Sequence, residues 1–197
     1  MVKTNPTRIP GRWREGFALD YQTISSTYIG DDEFGHPLFD TRRTELGELL
    51  YRLKYKSDES TVEELADAAA RFVRSWNQEM ALIVPVPPSR SNRPFQPVIA
   101  LATSLSERLA IPVRTDCVVR VKELPEMKDV YDYDTRLKLL QGAHQVAQTL
   151  VEAKKVLLFD DLFRSGATMN AITNDLYEKG KAAEVFALTI TRTRSKS

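Results

Sequence analysis

The chain has 197 residues, a formal net charge of +1 and a single cysteine, Cys117. This length is typical of one domain, and the near-zero charge excludes a general electrostatic attraction to nucleic acid or to an anionic membrane. One cysteine excludes an intrachain disulfide and a four-thiolate zinc ribbon, so we expect no zinc. No apolar run approaches the roughly 20 residues of a membrane helix, and the first residues do not resemble a signal peptide, so we expect a cytoplasmic protein with no membrane association.

The first 40 residues are rich in turn formers and aromatic residues, and a short alternating pattern runs only from Tyr21 to Tyr28. This composition predicts an N-terminal extension over 1–40 that carries a small hairpin or a clasp over the core. The main domain is then expected over 41–197.

Helices and strands alternate through the rest of the chain. Two helices come first, because leucines recur at helical spacing within 44–55 and Ser60 begins a capping box. The short apolar run 81–86 predicts a strand that is buried on both faces. Further helices are predicted over 96–109, 134–150 and 166–179, and further strands over 113–121, 155–160 and 183–191. This order indicates an α/β fold with a parallel sheet flanked by helices.

The run VLLFDDLFRSGAT, residues 156–168, joins a predicted buried strand to a predicted helix. Ligands of parallel sheets bind at the carboxyl ends of the strands, where this turn lies. The amides and hydroxyls of 165–168 suit a phosphate at the helix start, and Gly166 lets the backbone approach it closely. Asp160 and Asp161 would repel a bare phosphate, so we expect them to contact sugar hydroxyls or a magnesium ion. The turn therefore predicts a ribose 5-phosphate site.

Other phosphate-binding motifs do not fit this chain. It contains no G-x-x-x-x-G-K-[ST] sequence, and no G-x-G-x-x-G follows a strand. A receiver domain has its paired acids on the first strand, whereas here they come late. The remaining alternative is an ordinary strand–helix unit whose aspartates cap the helix.

A second anion site is predicted directly after the strand over 81–86. Between residues 80 and 106 the charged side chains are Arg90 and Arg93, which follow that strand closely. An acid-free loop with two arginines suits pyrophosphate, because guanidinium matches phosphate geometry in a bidentate way. A solvated proline-rich turn is the alternative.

Residues 120–133 have little periodicity and are expected to form a flap over the site. Lys122 and Lys128 of this flap are candidates to reach leaving-group oxygens, and an exposed charged loop is the alternative. Arg136, on the helix that follows, is a weaker candidate. Phe163, inside the 156–168 turn, either stacks on a ligand or packs under the loop.

The run 156–168 resembles the phosphoribosyl-pyrophosphate (PRPP) signature of the type I phosphoribosyltransferases, which consists of several hydrophobic residues, two acids, a short turn and [ST]-G-x-T. Within that superfamily the chain is most similar to the ComF-type competence proteins. The similarity extends over about 41–194, through LLYRLKYKSDE, VPVPPSRSNRPFQP, the segment 120–143 and the closing FALTITRTR. The chain departs from the family at Pro94 and Pro97, which stand near a family glycine and helix start, and it lacks the N-terminal zinc ribbon.

The resemblance implies roles for the residues of this signature. Asp160 and Asp161 are the expected catalytic pair, which holds the ribose hydroxyls and, through the ligand, Mg²⁺. Pro88 to Arg90 correspond to the pyrophosphate loop of the family. The expected substrate-binding residues, including those argued above, are Phe163, Arg164, Ser165, Gly166, Ala167, Thr168, Pro88, Ser89, Arg90, Arg93, Lys122 and Lys128.

The expected ligand is PRPP or a nucleoside monophosphate. The resemblance implies an enzyme that transfers the phosphoribosyl group to an unidentified base and releases pyrophosphate with the help of Mg²⁺. The alternative is a non-catalytic ComF-like accessory protein that binds a phosphoribosyl ligand and acts in DNA uptake or processing with a helicase-like partner. A single-stranded nucleic acid binder that uses Arg90, Arg93 and the basic chain ends is the least favoured hypothesis. A homodimer is compatible with each of them.

Overall fold

The computed structural model describes residues 1–88, 94–122 and 132–194. The strands are β1 (Thr7–Arg8), β2 (Glu15–Tyr21), β3 (Thr23–Asp31), β4 (Pro37–Arg43), β5 (Leu82–Pro85), β6 (Val118–Arg120), β7 (His144–Val146), β8 (Lys155–Phe163) and β9 (Glu184–Arg192). The helices are α1 (Glu45–Tyr55), α2 (Thr61–Trp76), α3 (Pro97–Leu109), α4 (Tyr133–Leu140), α5 (Gln148–Val151) and α6 (Ala167–Glu178). None of the helices in these ranges is long and apolar enough to cross a membrane.

A five-stranded sheet with the order β1-β2-β9-β8-β5 forms the centre of the fold. The four strands β2, β9, β8 and β5 run parallel to one another. The short edge strand β1 is antiparallel to β2. Two antiparallel strand pairs of the described residues lie outside this sheet: the hairpin β3–β4, and β6 with β7. The predicted α/β class with a largely parallel, helix-flanked sheet is therefore confirmed.

Helices cover both faces of β8, which explains its unbroken apolar run. Leu157 and Phe159 pack in a cluster with side chains of α1, α2 and α3, while Val156 and Leu158 pack in a second cluster with side chains of α6. All four side chains are fully buried. Because successive residues of a strand point to opposite faces, a strand between two helical layers needs apolar residues at every position.

The helix predicted over 134–150 is wrong in its second half. The helix α4 ends at Leu140, and Gly142 adopts a left-handed backbone with φ 66° that redirects the chain. The next residues form β7, which pairs antiparallel with β6. This pairing satisfies the backbone groups of both short strands, and such tertiary contacts override a modest helix propensity. The strand predicted over 113–121 is correspondingly shorter.

Part of the predicted N-terminal extension contributes to the main sheet. The strand β2 pairs with β9 along its length, and the hairpin β3–β4 runs across residue 40. Gly16 weakens the strand pattern of β2 in the sequence. Packing explains this glycine, because the indole of Trp13 occupies the space that a β-carbon at residue 16 would need. The division of the chain at residue 40 stays a prediction.

Candidate functional site

A cleft of about 110 Å³ lies at the carboxyl end of β8. Asp160 lines it from the strand, Arg136 from α4, and residues 163–169 from the loop and the first turn of α6. The strand β5 pairs with β8 only as far as Phe159, so Asp160 stands where the neighbouring strand has ended. The parallel sheet thus places its acidic strand end at the open edge where ligands bind.

The loop between β8 and α6 has the geometry of an anion-binding turn. Gly166 has φ 75°, and a β-carbon there would lie 2.7 Å from Cε2 of Phe163. Gly166 is also the N-cap residue of α6 and has no side chain to satisfy the first-turn amides. The Ala167 N–H donates only a long 3.4 Å hydrogen bond to Oγ of Ser165, so this helix start suits an anion. Arg136 donates a 2.8 Å hydrogen bond from Nη1 to Oγ of Ser165. The uncapped helix start and a guanidinium therefore adjoin the same loop.

The two adjacent aspartates occupy different environments. Asp161 is buried, whereas Asp160 is partly exposed in the cleft and accepts a 2.8 Å hydrogen bond at Oδ1 from the Asp161 backbone N–H. Loss of water contact, followed by the neighbouring charge of Asp161, raises the pKa of Asp160 to about 8. Asp160 therefore binds its proton more tightly than an exposed aspartate does.

Lys54 of α1 supplies the counter-charge of this acidic pair. Its Nζ lies 2.7 Å from Oδ2 of Asp161, and both side chains are largely buried. Burial alone lowers the pKa of Lys54, but the charge and hydrogen bond of Asp161, helped by Asp160, outweigh burial and raise the pKa above its ordinary value. The ion pair therefore fixes the end of α1 against the end of β8.

The sequence argument did not identify Lys54. The lysine lies within LLYRLKYKSDE, the helix end that resembles the family, but nothing in the sequence says which acid a lysine so far along the chain would meet. The sequence feature that points to Lys54 is its place on the helix: it follows Leu50 and Leu53, which are buried on the face of α1 that packs on the sheet.

The raised pKa of Asp160 predicts that stability falls with rising pH. The folded protein holds this proton up to about pH 8, whereas the unfolded chain releases it near pH 3.8. The free energy of unfolding therefore decreases as the pH rises between these two values. We expect the stability of Asp160→Asn, relative to the native protein, to be higher at pH 8.5 than at pH 4.5 by at least about 1 kcal/mol. Urea unfolding at the two pH values, without ligand, measures this difference. A gain that is the same at both pH values, or that appears equally in the exposed control Asp134→Asn, would refute the assignment.

An aromatic layer supports the loop from below. Phe163 is buried and meets Trp13 edge-on with ring centroids 6.2 Å apart. The guanidinium of Arg192 lies 5.8 Å from the Phe163 ring centroid. Of the two roles left open for Phe163, these contacts favour packing under the loop. Trp13 was missed in the sequence because it belongs to a segment with no regular pattern.

Asn170 ties three parts of the chain together beside the loop. Its Oδ1 accepts a 2.8 Å hydrogen bond from the Arg12 backbone N–H, and its Nδ2 donates at 3.1 Å to the hydroxyl of Tyr133. Its own N–H donates to the Gly166 carbonyl at 2.8 Å. Asn170 is thus a positioning residue that the sequence argument did not identify, since an isolated asparagine within a helix gives no signal.

The other predicted site residues are placed as follows. Arg164 is exposed and lines the cleft together with Ser165, Gly166, Ala167 and Thr168. Pro88 lies on a separate cavity beside β5. Lys122 donates a 2.9 Å hydrogen bond to the carbonyl of Gln141 and lines neither cavity. Ser89, Arg90, Arg93 and Lys128 lie outside the described residues.

Comparisons with known proteins agree with this architecture. No family model matches the chain. The competence protein ComFC of Bacillus subtilis is 26% identical over 152 residues, which cover 74% of this chain and 59% of ComFC. The allosteric regulatory enzyme of purine biosynthesis superimposes with a TM-score of 0.50 at 15% identity, over 88% of this chain and 44% of that one. Adenine phosphoribosyltransferase of Thermoanaerobacter pseudethanolicus gives 0.46 at 14% identity, over 85% and 95% of the two chains.

The chain thus spans about three fifths of the length of ComFC. Its acidic strand end and its glycine loop lie in the stretch that carries the signature, and the strand of that stretch, β8, lies between β9 and β5 in the largely parallel sheet. The chain therefore has the type I phosphoribosyltransferase fold and is similar to the competence protein ComFC.

Proposed function

We propose that the cleft at the end of β8 binds PRPP or a nucleoside monophosphate and that the protein transfers the phosphoribosyl group to an unidentified base. One observation carries the proposal: acidic groups and a helix start without a side-chain cap meet at one cleft. Asp160 lines this cleft and Asp161 adjoins it, and the helix start begins at Gly166, which has a left-handed backbone. A sugar with hydroxyls at one end and a phosphate at the other matches these two halves.

Each half of the cleft has a distinct task. The first-turn amides of α6 and the hydroxyls of Ser165 and Thr168 would hold the 5-phosphate, with Arg136 providing positive charge beside them. Asp160 and Asp161 would accept hydrogen bonds from the ribose hydroxyls. The role of Lys54 in this proposal is to hold Asp161 in position through their ion pair.

The proposed transfer needs no protein nucleophile. The bond between the anomeric carbon and the pyrophosphate oxygen breaks, and its electron pair leaves with pyrophosphate. A lone pair on a nitrogen of the base forms the new bond to that carbon, and the proton of this nitrogen passes to water. The protein contributes by positioning the sugar and by stabilising charge.

Magnesium would supply positive charge to the departing pyrophosphate. Among the described residues, no group of three or more His, Cys, Asp or Glu side chains could hold the ion alone. Asp161 is already paired with Lys54, so Asp160 is the carboxylate that adjoins the cleft and could approach an ion. This arrangement fits an ion that keeps water and ligand oxygens as its remaining partners, as Mg²⁺ commonly does.

Pyrophosphate release tests the transfer. We expect the protein, incubated with PRPP, Mg²⁺ and a panel of purine and pyrimidine bases, to release pyrophosphate with at least one of them. Replacing Asp160 and Asp161 together by asparagine should abolish the release, whereas Asp134→Asn on α4 should leave it unchanged. PRPP binding without release for any base would overturn the transferase proposal.

That outcome would favour the second candidate, a ComF-like accessory protein acting in DNA uptake or processing beside a helicase-like partner. The hairpin β3–β4 supports a protein partner, because its large apolar side chains are exposed on a two-stranded ribbon that lies outside the main sheet. These side chains are Ile24, Tyr28, Ile29, Phe34, Leu38 and Phe39. The same surface is compatible with a homodimer.

A further inference from the structure

A second cavity of about 180 Å³ lies at the carboxyl end of β5, and it shares no lining residue with the cleft described above. Pro87 and Pro88 contribute one wall, Ile99 of α3 another, and Val118 and Val119 of β6 a third. Mostly apolar walls are typical of small-molecule sites, and a cavity of this volume has room for one small ring. The cavity therefore offers a ligand mainly apolar contact.

Among the residues that the structure describes, Arg120, at the end of β6, is the charged side chain that lines this cavity. Its Nε is buried without a hydrogen-bond partner, and the part of the chain that the structure describes contains no ion pair to its guanidinium. Loss of water contact lowers the pKa of Arg120, and no described carboxylate counteracts this effect. The cavity thus holds a half-buried positive charge to which no carboxylate of the described residues is paired.

The groups around Arg120 do not supply that counter-ion. Its partner across the β6–β7 strand pair is His144, which is buried with both ring nitrogens unpaired. Burial, followed by the charge of Arg120, lowers the pKa of His144 to about 4, so this histidine is neutral near pH 7. The charge of Asp175 raises the pKa of His144 and the charge of Lys179 lowers it, both by less than burial does. The nearby Asp116 is already engaged by Arg114 through two hydrogen bonds.

A half-buried guanidinium without a partner is costly, and a bound anion would remove that cost. A carboxylate matches the planar fork of arginine in a bidentate way. A single cation among apolar walls suits a monoanion better than a phosphate dianion, which would keep an uncompensated charge. The proline and valine side chains suit an apolar ring attached to that carboxylate.

We propose that the cavity between β5, α3 and β6 is a second ligand site, which binds a small apolar ring carrying a carboxylate through Arg120. The site shares no lining residue with the cleft of the proposed transfer and lies one strand away from it, and its Pro88 begins the loop that resembles the pyrophosphate loop of the family. The Val86 N–H donates a 2.8 Å hydrogen bond to the carbonyl of Phe159, the residue before Asp160. The two ligands would therefore occupy adjacent strand ends of one sheet.

Titration of the full-length chain with benzoate, followed by amide chemical shifts, tests the proposal. We expect saturable shifts at Ile99 and at 118–120 in the absence of PRPP, and at least about 10-fold weaker binding of the neutral analogue benzamide. Arg120→Gln should weaken benzoate binding by a similar factor. The control Arg114→Gln changes an arginine that already has an acidic partner and should bind benzoate normally.

A second variant keeps the test valid if Arg120→Gln does not fold. Val119 is 41% exposed, so Val119→Trp should fold and should exclude benzoate by filling the cavity. Equal binding of benzoate and benzamide, unchanged binding by Arg120→Gln, or shifts confined to 165–168 would overturn the proposal. Stronger competition by inorganic phosphate than by acetate would also overturn it, because the cavity would then prefer a phosphate.

Discussion

Lys54→Met is expected to lower the free energy of unfolding by about 3 kcal/mol at pH 7.5, because it leaves the buried carboxylate of Asp161 without its counter-charge. The loss should exceed that of most single substitutions, since Asp160 lies beside the same carboxylate and no other described residue forms an ion pair with it. Urea unfolding measures the change. PRPP binding should weaken in the same variant, because Asp161 would no longer be fixed at the end of β8.

The neighbouring lysine provides the matched control. Lys56 is exposed at the end of the same helix, so Lys56→Met should change the stability by no more than about 0.5 kcal/mol. Adding Asp161→Asn to Lys54→Met removes the stranded charge, and we expect this double variant to recover most of the lost stability. If Lys54→Met were as stable as Lys56→Met, the ion pair would not hold α1 against the sheet.

Gly166→Ala is expected to destabilise the protein by about 3 kcal/mol and to abolish phosphate binding in the cleft. Two costs add at this position: a left-handed backbone costs an alanine about 1–2 kcal/mol, and the new methyl group would lie 2.7 Å from Cε2 of the buried Phe163. Either the loop or the aromatic layer must move, and both support the first turn of α6. Calorimetric melting with and without PRPP measures the two effects.

Gly35 separates the two costs. It has nearly the same backbone, with φ 77°, but nothing lies within 4 Å of the position that a β-carbon would take. Gly35→Ala should therefore show only the backbone cost, about 1–2 kcal/mol. Phe163→Leu combined with Gly166→Ala should recover part of the excess. Equal destabilisation by the two alanines would mean that the close approach to Phe163 plays no part.

Much of the fold follows from the sequence pattern. The strand β8 could be predicted because a strand between two helical layers needs an unbroken apolar run. The chain after α4 could not, because Gly142 and the pairing of β6 with β7 act through contacts between segments that are distant in sequence. The strand β2 was hidden for a similar reason, since its Gly16 accommodates the indole of Trp13.

The candidate site shows the same division. The acids and the glycine loop are contiguous in sequence, so their spacing alone predicts how strand, turn and helix place them. Lys54 and Asn170 act across the fold, and only the packing of α1 and of the N-terminal segment brings them to the loop. A local motif can therefore be read from sequence, whereas the residues that fix its charge and position need the three-dimensional structure.

The melting temperature with PRPP and Mg²⁺ tests the central claim, that the cleft at the end of β8 holds a phosphoribosyl ligand. A ligand at about 100 times its dissociation constant stabilises the folded state by about 2.7 kcal/mol, which corresponds to a shift of about 5–10 °C for a chain of this size. We expect such a shift in the native protein and in Asp134→Asn. We expect none when Asp160 and Asp161 are both replaced by asparagine, with each variant compared with its own ligand-free form. An unchanged melting curve at millimolar PRPP, or a shift that survives the double replacement, would contradict the account.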